Sequence, residues 1–259
     1  VKRTQLFSDV LSLGKAKQVP LLTKALNDSI VKKTQQQIVL RNQDPATIIE
    51  FSKDSTGGLS CFFEALRKTK KNKRKIRVAY FGDSMIEGDL ITQDLRRLLQ
   101  EQFGGEGVGF VPITSIVAGF RQTIIHSFSP NWHNYNLLDP VSEKHTLGIS
   151  GYVFEPSYYV ADVDTSNVAS ESGGSWVKYT SVNQKRLNKF TDVKLFYGMS
   201  EGNNYITYNQ QQKKLDGKNA VNELVLNSAN PIKSIAANFV CQSPVNIYGF
   251  SFESDSGIY

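Results

Sequence analysis

Gly82-Asp83-Ser84 closes an apolar stretch, and Glu87 and Asp89 follow within five residues of the serine. A serine hydroxyl acts as a nucleophile when it is exposed, has a base to take its proton and has donors for the oxyanion. A serine just after a buried strand and just before a helix meets the positional requirement. Its backbone N–H then lies at a helix N-terminus, where partial positive charge favours a developing oxyanion. Gly82 suits a tight turn. Asp83 can support that turn through its carboxylate, and Asp89 reads as a helix cap that also steadies it. As bare chemistry the signal is weak, because Gly-Asp-Ser recurs in ordinary turns. Clustered carboxylates also suit glycoside hydrolysis, but one turn gives neither separation nor opposing faces. Capping and dipole partnership is the simpler reading.

The partners of such a serine are harder to find. The chain has three histidines, His126, His133 and His145, all in a β-rich stretch or the loops entering it. Each reads as a surface or structural residue. His133, in "NWHNYN", stands apart, because Trp132 and Tyr135 beside it could form a sugar-stacking surface. Trp176 is a second glycan-binding candidate. Tyr152, Phe154, Tyr158, Tyr159, Tyr179, Phe196, Tyr197, Tyr205 and Tyr208 also alternate along strands, a pattern more typical of core and cross-strand pairs. Asp162 and Asp164 have oxygen ligands for a cation, but turn acids are the simpler reading. Cys61 and Cys241 show no metal-ligand spacing and read as buried thiols. No metal and no organic cofactor is expected.

These residues need elements to position them. With 259 residues, 40% apolar and 21% charged, the chain can bury a real core. No apolar run reaches the roughly 18 residues of a membrane span. The net charge of +6 is concentrated in "RKTKKNKRKIR", Arg67 to Arg77, which reads as a solvated connection. No stacking-aromatic motif accompanies it, so nucleic acid is not expected, whereas attraction to an acidic glycan or cell-wall surface is allowed. The chain starts at Val1, as a processed or trimmed product would. "VPLLTKALNDSIVKKTQQQIVL" and "DPATIIEF" read as helical, the latter with Asp44 as cap and Pro45 at the first helical position. "STGGLSCFFEALRKT" reads as a short helix with Leu59, Phe62, Phe63 and Leu66 on one face. "KIRVAYF" has the apolar density of a strand buried on both faces of a parallel sheet. "LITQDLRRLLQEQFGG" carries a helical stripe that stops at Gly104 and Gly105. From about Val111, short alternating segments punctuated by Asn, Gly, Asp and Ser predict an antiparallel β-sandwich, with "LDGKN" at 215–219 as a hairpin turn.

"VAYFGDSMIEGDLITQDLRRLLQEQFGGEGVGFVP" resembles the first block of the SGNH (GDSL-type) hydrolases. The likeness is to the bacterial peptidoglycan and polysaccharide O-acetylesterase branch. The matching features are Gly82-Asp83-Ser84, Asp89, the helix from about Leu90, and Gly107-Val108-Gly109-Phe110-Val111. The resemblance implies a fold in two parts. One is the N-terminal portion of an α/β, flavodoxin-like three-layer SGNH domain; the other is an all-β, carbohydrate-binding-module-like sandwich inserted into it. The boundaries are then 1–50 for a helical or irregular segment, 51–115 for the first α/β part, 116–248 for the sandwich and 249–259 for a return strand. It also implies that Ser84 is the nucleophile and an oxyanion N–H donor, that the substrate is a peptidoglycan or polysaccharide, and that the protein is periplasmic or secreted. The chain departs from the family in lacking its later Gly and Asn donors and its Asp-x-x-His base. No histidine here has an Asp three residues before it. The expectation is therefore an esterase completed by a C-terminal part of the same protein. The alternative is a non-catalytic glycan- or protein-binding module with a vestigial turn.

Overall fold

The chain divides into two units, Val1–Ser60 and Cys61–Tyr259. The computed structural model describes residues 59–139, 145–157, 174–227 and 230–259, nearly all in the second unit. The expected helices before residue 59, and Tyr158, Tyr159, Asp162 and Asp164, lie outside the described residues.

Helix α1 (Ser60–Asn72) leads to β1 (Lys75–Ile76). Leu66 and Thr69 turn inward from α1, while Leu59 and Phe63 stay exposed, so the expected apolar face is only partly covered. Helices α2 (Ser84–Glu87) and α3 (Thr92–Phe103) follow, and then β2 (Gly109–Val111). The rest is strand: β3 (Ile124–Phe128), β4 (Trp132–Asn136), β5 (Tyr152–Pro156), β6 (Ser175–Ser181), β7 (Asp192–Tyr197), β8 (Tyr205–Tyr208), β9 (Gln211–Lys214), β10 (Asn222–Asn227), β11 (Ser234–Val240), β12 (Ile247–Glu253) and β13 (Gly257–Ile258).

Two antiparallel sheets share one core. One runs β10-β7-β12-β5-β4, with β2 also on β12; the other runs β3-β6-β11-β8-β9. Period-2 alternation explains the core. Ser175, Val177 and Tyr179 of β6 point inward, while Trp176 and Lys178 point out. Val193, Leu195 and Tyr197 do the same in β7. The Tyr179 ring meets Phe250 and Phe252 of the facing sheet at about 5 Å, and Trp132 meets Phe239 edge-on at 5.2 Å.

Strand β12 is buried at every position, including Ser251 and Glu253. A buried carboxylate must be paired. Glu253 accepts two 2.7 Å hydrogen bonds from Arg77 and one of 2.8 Å from Ser251 Oγ. Lys75 reaches Asp192 at 2.5 Å and Glu253 at 3.3 Å. Part of the basic run is therefore not a solvated connection: Lys75 and Arg77 pin β1 to the antiparallel sheet. β1 also pairs in parallel with β13, Lys75 opposite Gly257 and Ile76 opposite Ile258. Gly257 has φ +118°, and a Cβ there would lie 2.3 Å from Gly105 Cα, so no side chain fits. Gln100 of α3 ties this corner together, its Nε2 donating to the Gly107 and Ile258 carbonyls, both at 3.0 Å.

This corrects the expected fold class. The described residues form thirteen strands in three sheets with three α-helices, and no α/β flavodoxin-like layering is present. A buried parallel strand needs partners on its edges and helices on its faces. "KIRVAYF" contributes two paired residues. Val78 N still donates to the Tyr259 carbonyl at 2.8 Å, but Tyr80 and Phe81 are exposed, Phe81 at 75%. The hairpin expectation at 215–219 also shifts. Asn209 and Gln210, both at positive φ, make the two-residue turn between β8 and β9. Leu215–Asn219 instead crosses from one sheet to the other, with Leu215 fully buried. Of the two cysteines, Cys241 is buried but Cys61 is exposed, and both are free thiols.

Candidate active site

The Gly82–Ser84 turn is built from local bonds. Asp83 is the N-cap of α2, with extended backbone, and its Oδ1 accepts from Met85 N at 3.0 Å. Its carbonyl accepts from Ile86 N and Glu87 N. Ser84 is the first residue of α2 and is exposed. Among the described residues its hydroxyl has no hydrogen-bond partner. Gly82 matters for close approach: a Cβ there would lie 2.4 Å from Ile86 Cγ1.

The far end of the turn is held more firmly. Gly88 ends α2, its N–H donating to the Ser84 carbonyl at 3.0 Å. Asp89 then takes φ +61°, a left-handed conformation that Asp adopts more readily than most residues. It is not the cap of α3, a position held by Ile91. Its carboxylate is instead buried. Arg96 grips it with both guanidinium nitrogens, at 2.7 and 3.0 Å, and the Thr92 hydroxyl donates to it. Thr123 Oγ1 donates to Oδ2 at 2.5 Å, and Arg121 Nε stands 3.9 Å away. Burial pushes the Asp89 carboxyl up, but the Arg96 hydrogen bonds and charge, with Arg121 and Thr123, more than offset it and hold it below its ordinary value. Glu87 makes a second tether, accepting from Ser115 Oγ at 3.0 Å.

The histidines are engaged elsewhere. His126 Nε2 lies 2.8 Å from the Ile113 carbonyl oxygen, and its ring stacks on Tyr179. His145 stacks on Tyr135 with ring centroids 3.7 Å apart, and its Nδ1 lies 3.5 Å from Glu155. His133 is exposed on β4. No hydrogen bond joins any of them to Ser84 among the described residues.

The glycan-binding candidates separate. Trp132 is 7% exposed, and its indole N–H donates to the Trp176 carbonyl at 3.1 Å. It is a core side chain, and its ring is not presented to solvent. Phe154, Tyr179, Tyr197 and Tyr208 are likewise buried. Trp176 is 41% exposed on the outer face of its sheet, and His133 lies on a different sheet. The structure therefore does not gather Trp132, His133 and Trp176 into one platform.

Arg96, Ser115, Arg121 and Thr123 contact Asp89 or Glu87 at this turn, and the sequence reading missed them. Arg96 was visible only as an opposite charge seven residues on from Asp89, because Asp89 lies outside α3 and no helical spacing links the two. Thr123, Arg121 and Ser115 come from a distant loop and leave no local signal. Among the described residues no cluster of His, Cys, Asp and Glu is suited to a metal, and no helix is long and apolar enough to cross a membrane.

No protein-family model and no curated protein matches the chain. Among solved structures it is similar to a peptidoglycan O-acetylesterase, with a TM-score of 0.52 and 19% identity over 74% of this chain. The chain spans about half of that protein's length, 49%. The likeness establishes a shared fold over that part. Two structures of an exo-β-1,3-galactanase from Phanerochaete chrysosporium also align, with TM-scores of 0.24 and 0.23, too slight to bear on this chain.

Proposed function

We propose that this chain carries the nucleophile of a serine esterase that removes, or transfers, O-acetyl groups on a cell-wall or exported polysaccharide. The observation that carries the reading is Ser84 itself. It is exposed with an uncommitted hydroxyl, at the start of a helix, in a turn held by Asp83 on one side and Asp89 on the other. The shared fold with a peptidoglycan O-acetylesterase supports it.

In this mechanism Ser84 Oγ attacks the acetyl carbonyl and loses its proton to a base. The tetrahedral oxyanion lies against the Ser84 backbone N–H. The carbohydrate oxygen leaves with a proton, an acetyl-serine forms, and water releases acetate. No described histidine is bonded to Ser84, so the base is proposed to come from a C-terminal part of the protein, as the SGNH pattern implies. A periplasmic or secreted location follows from the substrate.

The absence of a bonded histidine also favours a second reading, a glycan- or protein-binding module with Gly-Asp-Ser as an inherited turn. Hydrolysis of p-nitrophenyl acetate by the full-length protein separates the two. The esterase reading expects Ser84→Ala to lose at least about a hundredfold in kcat and Ser84 to be labelled by a fluorophosphonate probe. Equal rates for wild type and Ser84→Ala sink it.

A further inference from the structure

Asp89 holds a place that local capping does not explain. It is the pivot between α2 and α3, it is buried, and its backbone is left-handed. Backbone bonds couple it closely to the nucleophile: Asp89 N donates to the Ile86 carbonyl, Gly88 N to Ser84 and Leu90 N to Met85, all at 3.0 Å. A shift of the pivot therefore moves the turn of helix that carries Ser84.

The carboxylate of that pivot is gripped from two directions. Thr92 and Arg96 belong to its own following helix. Thr123 and Arg121 belong to the segment that enters β3. That segment is a firm base. Thr123 is buried, and Ile124 beside it is fully buried and pairs with Ser181 of β6.

We infer that Asp89 is a positioning residue for Ser84 and that Thr123, through its hydroxyl, references the nucleophile turn to the five-stranded sheet. The inference rests on Ser84 being the nucleophile, and it adds that the β body sets the serine's orientation. Neither Asp89 nor Thr123 enters the bond-making steps.

Thr123→Val removes the hydroxyl at nearly constant shape, and Thr123→Ser keeps it. The full-length protein is compared by hydrogen exchange, resolved at the amides of residues 85–90. The expected result for Thr123→Val is exchange faster by about tenfold in the turn, the scale of a lost hydrogen bond to a charged group. Amides of β7 and β12 should keep their wild-type protection, and Thr123→Ser should restore the turn. In p-nitrophenyl acetate hydrolysis kcat should fall by a similar factor with KM unchanged, again restored by Thr123→Ser. Unchanged exchange in the turn, loss of protection throughout the strands, or failure of Ser to rescue overturns the inference. Equal hydrolysis by wild type and Ser84→Ala defeats the nucleophile reading, and the inference that Asp89 positions a nucleophile falls with it. The exchange data then still report separately whether Thr123 holds the turn.

Discussion

Acidification from pH 7 toward pH 5 is expected to weaken the protein through His126. The ring packs between Tyr179 and Phe128 on the inner side of β3. A carbonyl oxygen can only accept, so the 2.8 Å bond to Ile113 places the neutral ring's proton on Nε2. A second proton must then go to Nδ1, which is buried with no hydrogen-bond partner. Burial drives the pKa down, the Ile113 bond pulls it partly back, and the Arg121 charge lowers it further, from 6.5 to about 4. Between those values the unfolded chain binds the proton and the folded chain does not. Stability from the neutral ring is thus complete above pH 6.5 and is lost as pH falls toward 4. At 1.36 kcal/mol per pKa unit the whole loss is about 3 kcal/mol, of which about 2 kcal/mol appears by pH 5. Asp89 and Glu253, both held below their ordinary values, stay ionised between pH 7 and 5. Urea unfolding at pH 7.5, 6 and 5 tests this against His126→Gln, whose amide can still donate to Ile113 and does not titrate. Wild type should lose about 2 kcal/mol more than the variant between pH 7.5 and 5. Equal losses, or an imidazole that titrates near 6.5 by NMR in the folded state, would refute the reasoning.

Glu253→Gln should cost about 2 kcal/mol, less than a wholly buried pair because Arg77 is half exposed. Burial raises the Glu253 carboxyl, but Arg77, Ser251 and Lys75 together hold it below its ordinary value. The gap between wild type and variant in thermal melts should therefore be full near neutrality and close as pH falls through the folded value. Trp132→Ala should lose about 3–5 kcal/mol in urea unfolding, as a core truncation. Trp176→Ala should stay within about 0.5 kcal/mol and weaken retention on a polysaccharide column if that ring contacts glycan. Unaltered retention removes Trp176 from the binding surface.

What the sequence made legible was what is local. Alternation from Val111 onward marked the strands, because an inward Val177 or Leu195 beside an outward Lys178 or Lys194 shows in any two-residue period. Asp83 as the support of a turn at Ser84 was also readable, since a cap acts within two residues. The density of "KIRVAYF" misled, because apolar content signals a need for partners without supplying them. The structure pairs two residues of that run and leaves Tyr80 and Phe81 exposed. Trp132 next to His133 looked like a surface platform, but neighbours on a strand face opposite sides, and Trp132 went inward. The grip of Thr123 on Asp89 had no local trace, because it depends on how a later loop packs.

The pairing of Lys75 with Gly257 sets an order of events as the chain emerges from the ribosome. Local turns such as Asp83–Gly88 can close at once. β1 cannot find β13, nor Arg77 find Glu253, until the intervening strands have been made. Closing so long a loop brings little return until those strands have already collapsed and drawn its ends together. The segment leading to Ser84 is thus made early and secured late. Its Val78, Tyr80 and Phe81 stay exposed even in the finished fold, so this stretch offers apolar surface to a neighbouring chain or a chaperone both before and after β1 is paired.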